Sequence, residues 1–260
     1  SQYFDYQFRP FENLYATIGF RNDKHTTAGN ETTKRTTIAY KFNNNSKIRS
    51  SYGTGIRFPS LYDYFYGSST IAQKEDLSAE KSESFDIGYE TYLDDLNLGL
   101  NISIFKLNYE NPLVSQNRTG WMIKNAQGDN KSKGAEIGLN WKTNKLLSVN
   151  LNYTYTDSFS SSDCENPDKN ATECVDWNTD VDEAMVRVPR HAIATSVNYN
   201  IRDKLKNSVL IKYIGQTRDY GNVNNSWADV ILDDYITFDI ASSYKLKNNY
   251  NLNFSIRNAL

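Results

Sequence analysis

The sequence predicts an all-β protein that crosses a membrane as an antiparallel β-barrel, on three observations. Apolar and polar residues alternate over long runs, charge is confined to one of the two faces so defined, and the connections between runs are short and long in turn. The clearest run places Leu147, Val149, Leu151, Tyr153 and Tyr155 on one face, with Ser148, Asn150, Asn152, Thr154 and Thr156 on the other. Side chains of a strand alternate between faces, so such a run can meet lipid on one side and water on the other. A soluble β-sandwich also alternates and is the bland alternative. Strand length and the asymmetry of the connections favour the barrel.

Taken in order, the first strand carries Phe4, Tyr6 and Phe8, and the second Leu14, Ala16, Ile18 and Phe20. Ile38, Tyr40 and Phe42 mark the third, and Ile48, Tyr52, Ile56 and Phe58 the fourth. After a long connection come Phe85, Ile87, Tyr89 and Leu93, an Asp94-Asp95 turn, and Leu96, Leu98, Leu100, Ile102 and Ile104. The phase slips at Phe105 and Leu107, which reads as a bulge or as the top of the membrane band. Ala135, Ile137, Leu139 and Trp141 lead into the run quoted above. Ile193, Val197, Tyr199 and Ile201 then face Val209, Ile211 and Tyr213. The last pair holds Ile236, Phe238, Ile240, Tyr244 and Leu246, then Tyr250, Leu252, Phe254 and Ile256, giving about twelve strands, an even number as bacterial barrels have. Connections near 11–13, 43–45, 94–95, 143–145, 202–204 and 247–249 are tight, whereas 22–33, 59–79, 110–120, 158–186 and 218–233 are long and polar. In outer-membrane barrels the tight turns face the periplasm and the long loops the exterior.

Opposite the apolar face stand Arg21, Lys41, Arg49, Arg57, Asp86, Glu90, Asn101, Glu136, Asn140, Asn152, Asp239 and Lys245. A charge aimed at hydrocarbon costs about 2–4 kcal/mol at the midplane, so this confinement implies a wet lumen or a polar object within it. The 19 Tyr, 12 Phe and 4 Trp suit the boundaries between lipid and water. No run approaches the roughly 18 apolar residues of a membrane helix. A net charge of −2 argues against a nucleic-acid partner. Enzymatic chemistry has little to stand on: no Gly-x-Ser-x-Gly elbow occurs, and His25 and His191 both sit near strand ends. Nothing calls for a cofactor or a resident metal.

Cys164 and Cys174 share one polar loop, where an oxidising compartment would favour a disulfide; two unpaired thiols are the alternative. The same loop carries Asp163, Glu165, Asp168, Glu173, Asp176, Asp180, Asp182 and Glu183 against Lys169. These acids lack the Gly-containing spacing of a calcium loop and suit a solvated surface better.

Ser51-Tyr52-Gly53-Thr54-Gly55-Ile56-Arg57-Phe58-Pro59-Ser60-Leu61-Tyr62, followed by Leu77-Ser78-Ala79-Glu80-Lys81-Ser82 and Gly88, resembles the TonB-dependent outer-membrane receptors. There a strand ends in Gly-x-Arg-x-Pro-Ser-Leu and the next opens with Leu-x-x-Glu-x-Ser. Lys133-Gly134-Ala135-Glu136-Ile137, Asn152-Tyr153-Thr154-Tyr155-Thr156-Asp157 and Val188-Pro189-Arg190-His191 extend the resemblance over essentially the whole chain. It implies a barrel of about 22 strands around a plug, in the bacterial outer membrane, with transport driven by the inner-membrane TonB complex. Residues 1–260 would then be one partial barrel domain, roughly the tenth to the twenty-first strand, without the plug, the TonB box or the closing strand. Gly53 and Gly55 would let a packed object approach the wall, and Pro59 would end the strand's ladder.

The partners so implied are outer-membrane lipid, the receptor's own plug, the TonB complex and a small metal chelate, either cobalamin or a ferric siderophore. Arg21-Asn22-Asp23-Lys24-His25 with Gly29 resembles the cobalamin branch, and the absence of histidine from 59–79 counts against haem. Candidate ligand contacts are Tyr62, Tyr64, Tyr66, Arg118, Trp121, Trp177 and Trp227; candidate plug-facing residues are Arg49, Arg57, Asp86, Glu90, Glu136 and Arg190. Wall and strand-end chemistry is the structural alternative for the motif residues, and girdle or loop packing for the exposed aromatics. The rival functions are a complete twelve-stranded passive channel, an outer-membrane hydrolase and a soluble β-sandwich binding protein.

Overall fold

In a computed structural model, residues 1–65, 77–117, 121–125, 129–160, 183–201, 204–223, 226–247 and 250–259 are described. The elements in chain order are β1 (Gln2–Phe11), β2 (Leu14–His25), β3 (Gly29–Lys41), β4 (Ser46–Arg57), a one-turn helix α1 (Leu61–Phe65), β5 (Glu80–Leu93) and β6 (Leu98–Glu110). They continue with β7 (Leu113–Asn117), β8 (Trp121–Asn125), β9 (Asp129–Lys142), β10 (Leu147–Ser160), β11 (Glu183–Ala184), β12 (His191–Ile201) and β13 (Leu205–Ile214). The last are β14 (Thr217–Val223), β15 (Ser226–Leu232), β16 (Tyr235–Lys247) and β17 (Tyr250–Ile256).

One antiparallel sheet runs β1-β2-β3-β4-β5-β6-β9-β10-β12-β13-β16-β17, so the expected twelve wall strands are present. β11 adds a short edge to the loop end of β10, and β7-β8 and β14-β15 are separate hairpins inserted in the long connections. Among the described residues the wall is a single layer, with no second sheet packed on it as a sandwich would need. Nor does it close on itself. Among the described residues β1 pairs with β2 alone and β17 with β16 alone, which does not fit a complete twelve-stranded channel.

Register joins the alternating runs into two continuous faces. Tyr40, Ile48, Tyr89, Ile102, Ile137, Tyr153, Ile193, Tyr213 and Ile236 lie side by side across nine strands. The row begins beside the turn end of β3 and finishes beside the loop end of β16, the stagger that tilted barrel strands require. On the other face Lys41, Lys47, Glu90, Asn101, Gly138, Asn152, Ala194 and Lys212 form an equally continuous row. A one-residue slip anywhere would send apolar residues into the lumen, so the pattern pins the register. The turn between β5 and β6 is a 3-10 turn closed by Asn97 in the left-handed conformation at φ 48°, its N–H donating to the Asp94 carbonyl. Trp141 Nε1 donates to the Leu96 carbonyl at 3.1 Å and ties that turn to β9.

Two expectations need correction. Residues 22–33 are not a long loop: β2 and β3 pair without interruption from Leu14↔Tyr40 to His25↔Gly29, leaving a three-residue turn that Gly29 enters at φ +82°. Backbone bonding needs no apolar alternation, so the ladder continues above the lipid band. The phase slip in β6 is not a bulge either. β6 stays in register with both neighbours, and Phe105 lies on the lumenal face opposite Gly134, whose missing side chain makes room for its ring.

Candidate functional site

The lumenal charges of β4 and β5 form one connected group. Lys47, Arg49 and Ser51 stand opposite Glu90, Gly88 and Asp86. Because the residue facing Arg49 is a glycine, the guanidinium lies across the backbone and reaches both diagonal acids. Nη1 donates to Asp86 Oδ1 at 2.7 Å and Nε to Glu90 Oε1 at 3.0 Å. Lys47 Nζ lies 2.9 Å from the second Glu90 oxygen, and Ser51 Oγ donates to Asp86. A Cβ on Gly88 would come within 3.2 Å of the guanidinium carbon. These side chains keep 29–41% of their exposure, so each pair is screened and contributes about 0–1 kcal/mol. What the group sets is the direction in which the charges point.

Further round the wall the lumenal face becomes richer in amides and hydroxyls. Glu136 accepts from Ser103 Oγ at 3.3 Å, and Asn150 Nδ2 donates to Ser196 Oγ at 3.1 Å. A cavity of about 560 Å³ opens at the turn end, lined by Lys41, Lys47, Glu90, Asn101, Asn140 and Asn152 among others. Arg190, expected in the lumen, lies just before β12, its carbonyl accepting the N–H of Thr156 on the polar face of β10. It stands at the loop end, 3.7 Å from Asp157, which shares the outward face of β10 with Tyr155. The segment before β12 is tied to the β14–β15 hairpin: Arg187 bonds Asp219 at 2.8 Å and its N–H donates to the Arg218 carbonyl.

Arg57, the last residue of β4, faces Glu80, the first of β5, and donates Nε to it. Its Nη1 is 3.5 Å from Asp63, a buried carboxylate within α1. Ser60 and Asp63 form a reciprocal cap: Ser60 N–H donates to Asp63 Oδ2 at 2.7 Å, and Asp63 N–H to Ser60 Oγ at 3.3 Å. That pattern is readable in the sequence, although Asp63 and Glu80 are not among the candidate site residues that the sequence suggests. On α1, Tyr62 is 65% exposed, and the Tyr64 hydroxyl is 2.9 Å from Thr27 Oγ in the β2–β3 turn. His25 holds that turn by accepting from the Thr27 and Ala28 N–H groups through Nδ1, and its ring stacks on Phe58 at 5.0 Å.

The remaining nominated residues are dispersed. Trp121 and Trp227 lie at or one pair from the outer tips of the β7–β8 and β14–β15 hairpins, opposite Asn117 and Asn222. Tyr66, Arg118, Trp177, Cys164 and Cys174 lie outside the described residues, as does most of the acidic loop. Among the described residues no group of three or more His, Cys, Asp or Glu is gathered as a metal site.

Residues 1–259 match the family model described as "TonB dependent receptor-like, beta-barrel". The chain is 26% identical over 225 residues to "Probable TonB-dependent siderophore receptor PiuA" of Acinetobacter baumannii, a match that covers 85% of this chain and 29% of that protein. Among solved structures, the siderophore receptor PirA of A. baumannii superposes with a TM-score of 0.76 at 16% identity, covering 99% of this chain and 41% of PirA. The FrpB iron transporter of Neisseria meningitidis does so with a TM-score of 0.75 at 17% identity, covering 98% and 40%. The chain therefore spans well under half the length of these relatives, and the likeness to the solved structures is one of fold.

Proposed function

The chain belongs to the TonB-dependent receptor-like β-barrel family and is an outer-membrane protein, and on that footing we propose that it is wall and outer rim of an active-transport receptor for a ferric siderophore. In this reading the rim captures the chelate, a plug filling the lumen releases it inward, and the TonB complex supplies the energy. The family is one of transport receptors rather than enzymes.

The observation that carries the reading is the pairing of an apolar outward face with a charged lumenal face in a wall that does not close. Unpaired edges in lipid cost several kcal/mol per backbone group, so further strands must complete this wall. Charges pointing into the lumen supply partners for a polar plug. A siderophore is favoured over cobalamin because the relative with the stronger sequence match is described as a siderophore receptor. The short cobalamin-like segment 21–25 is a strand, in which Arg21 and Asp23 bond each other at 2.7 Å.

The test is iron-55 uptake by iron-starved cells that express the whole receptor gene and lack other receptors. The iron is offered as ferric enterobactin, a catecholate, or ferrichrome, a hydroxamate, with labelled cyanocobalamin in parallel. Uptake of one iron chelate that stops when TonB is deleted is the expected result. Uptake of cyanocobalamin alone, or iron uptake indifferent to TonB, would sink the proposal.

A further inference from the structure

The buried apolar side chains among the described residues, Leu77, Ala79 and Ile123, all lie beyond the loop end of the wall, and Pro59 is buried in the same connection. Three polar locks surround them. Arg57 holds Glu80 and Asp63, and the second oxygen of Glu80 accepts the N–H of Leu113, the first residue of β7, at 2.7 Å. Asn125, the last residue of β8, accepts the Ser78 N–H at 2.7 Å and donates to the carbonyls of Ser78 at 3.1 Å and Asn111 at 2.9 Å. Asn111 is left-handed at φ 54°, which turns its carbonyl into reach. The β7–β8 hairpin, whose base is the Leu113↔Asn125 pair, is thereby fastened at both strands to the segment around β4 and β5, and α1 packs on β8.

The magnitudes decide what Arg57 is for. Its side chain is 53% exposed, so solvent screens its ion pairs and they add little to the stability of the barrel. Asp63 is different: with 7% of its surface exposed, it must be oriented by partners. A planar guanidinium can address two carboxylates at once, which an ammonium at the same position cannot do with the same geometry.

We propose that Arg57 is a positioning residue for ligand capture: through Glu80 and Asp63 it joins residues 58–65 and the β7–β8 hairpin into one rigid outer platform, on which α1 presents Tyr62. The capture role rests on the receptor reading above; the platform itself does not. Both connections carry buried apolar side chains, Leu77 and Ala79 before β5 and Ile123 in β8, and α1 packs on β8. A change at Arg57 is therefore felt in the hairpin, with no covalent route shorter than the whole of β5 and β6.

The experiment compares the whole receptor with its Arg57→Gln, Arg57→Lys and Asn125→Ala variants. Heat-modifiable gel mobility selects barrels that have folded, and hydrogen exchange is then followed by mass spectrometry. Arg57→Gln is expected to speed exchange at 113–117 and 121–125 about tenfold, the factor that corresponds to one net hydrogen bond, while 98–106 in the wall is unchanged. Arg57→Lys should fall short of rescue, and Asn125→Ala should reproduce the effect from the other side. Unchanged exchange in the hairpin, or an increase spread over the wall, overturns the platform. In iron-55 uptake with ferric enterobactin or ferrichrome, the half-saturating concentration should rise in Arg57→Gln with maximal uptake retained. A fall in maximal uptake at unaltered half-saturation overturns the capture role. Wild-type cells that take up neither probe overturn the receptor reading and the capture role with it, and the exchange result still decides the platform.

Discussion

The membrane wall and the outer platform use the same residue types in opposite ways. In the wall Phe4, Ile104 and Phe254 are 60%, 54% and 58% exposed, whereas Leu77, Ala79 and Ile123 in the platform keep 4%, 0% and 8%. The wall's solvent on that side is hydrocarbon, so exposure there costs nothing and shape comes from the interstrand ladder. The platform stands in water, and its shape comes from a small buried cluster and side chains that bridge segments. A barrel wall can thus be rigid without a core, while the loops above it need one.

Three substitutions sharpen that contrast. The largest effect is expected from Gly134→Ala, because a Cβ there would run into the Tyr155 carbonyl and lie 2.6 Å from the Phe105 ring. The ladder itself would have to shift, and a loss of about 3 kcal/mol or more follows; the fraction of heat-modifiable barrel after refolding measures it. Retention of normal yield would show that the wall yields more easily than its ladder implies. Next comes Ile104→Arg, which aims a charge at lipid from the middle of β6 and should cost about 2–4 kcal/mol in a urea titration of the refolded receptor. The same change at a residue facing water would cost far less, so a small effect would place Ile104 outside the hydrocarbon. The smallest effect belongs to Gly88→Ala. Its new methyl meets only the movable end of Arg49, 3.2 Å away, and stability should change by less than about 0.5 kcal/mol. A loss comparable to that of Gly134→Ala would mean that the Arg49 group is a structural clasp.

Much of this contrast can be read from residue order. The alternating faces, the tight turns and the lumenal placement of Arg49, Asp86, Glu90 and Glu136 follow from period-two patterning, since each strand must satisfy lipid on one side and water on the other. The period fails where lipid stops acting. Asp23, Lys24 and His25 are paired in a hairpin that carries no apolar signature, because the backbone ladder and polar side-chain contacts such as those of His25 sustain it. Phe105 breaks the pattern for another reason, a space left by Gly134 on the neighbouring strand, which no reading of β6 by itself can reveal. Arg190 follows Val188-Pro189 as a strand-entry motif would have it, and its pairing with Asp157 of the neighbouring strand is something no reading of β12 by itself can reveal.

Residue order alone pointed to an antiparallel wall, its inside and outside, and which of its ends carries the long connections, because long alternating runs joined by connections short and long in turn suit a wall between lipid and water better than a two-sheet sandwich. Only in the folded chain do Arg57, Asp63, Glu80, Leu113 and Asn125, scattered over two connections, meet in one place. Such contacts obey no period: they depend on where a strand end, a capped helical turn and a hairpin base come to lie once the ladder beneath them has formed.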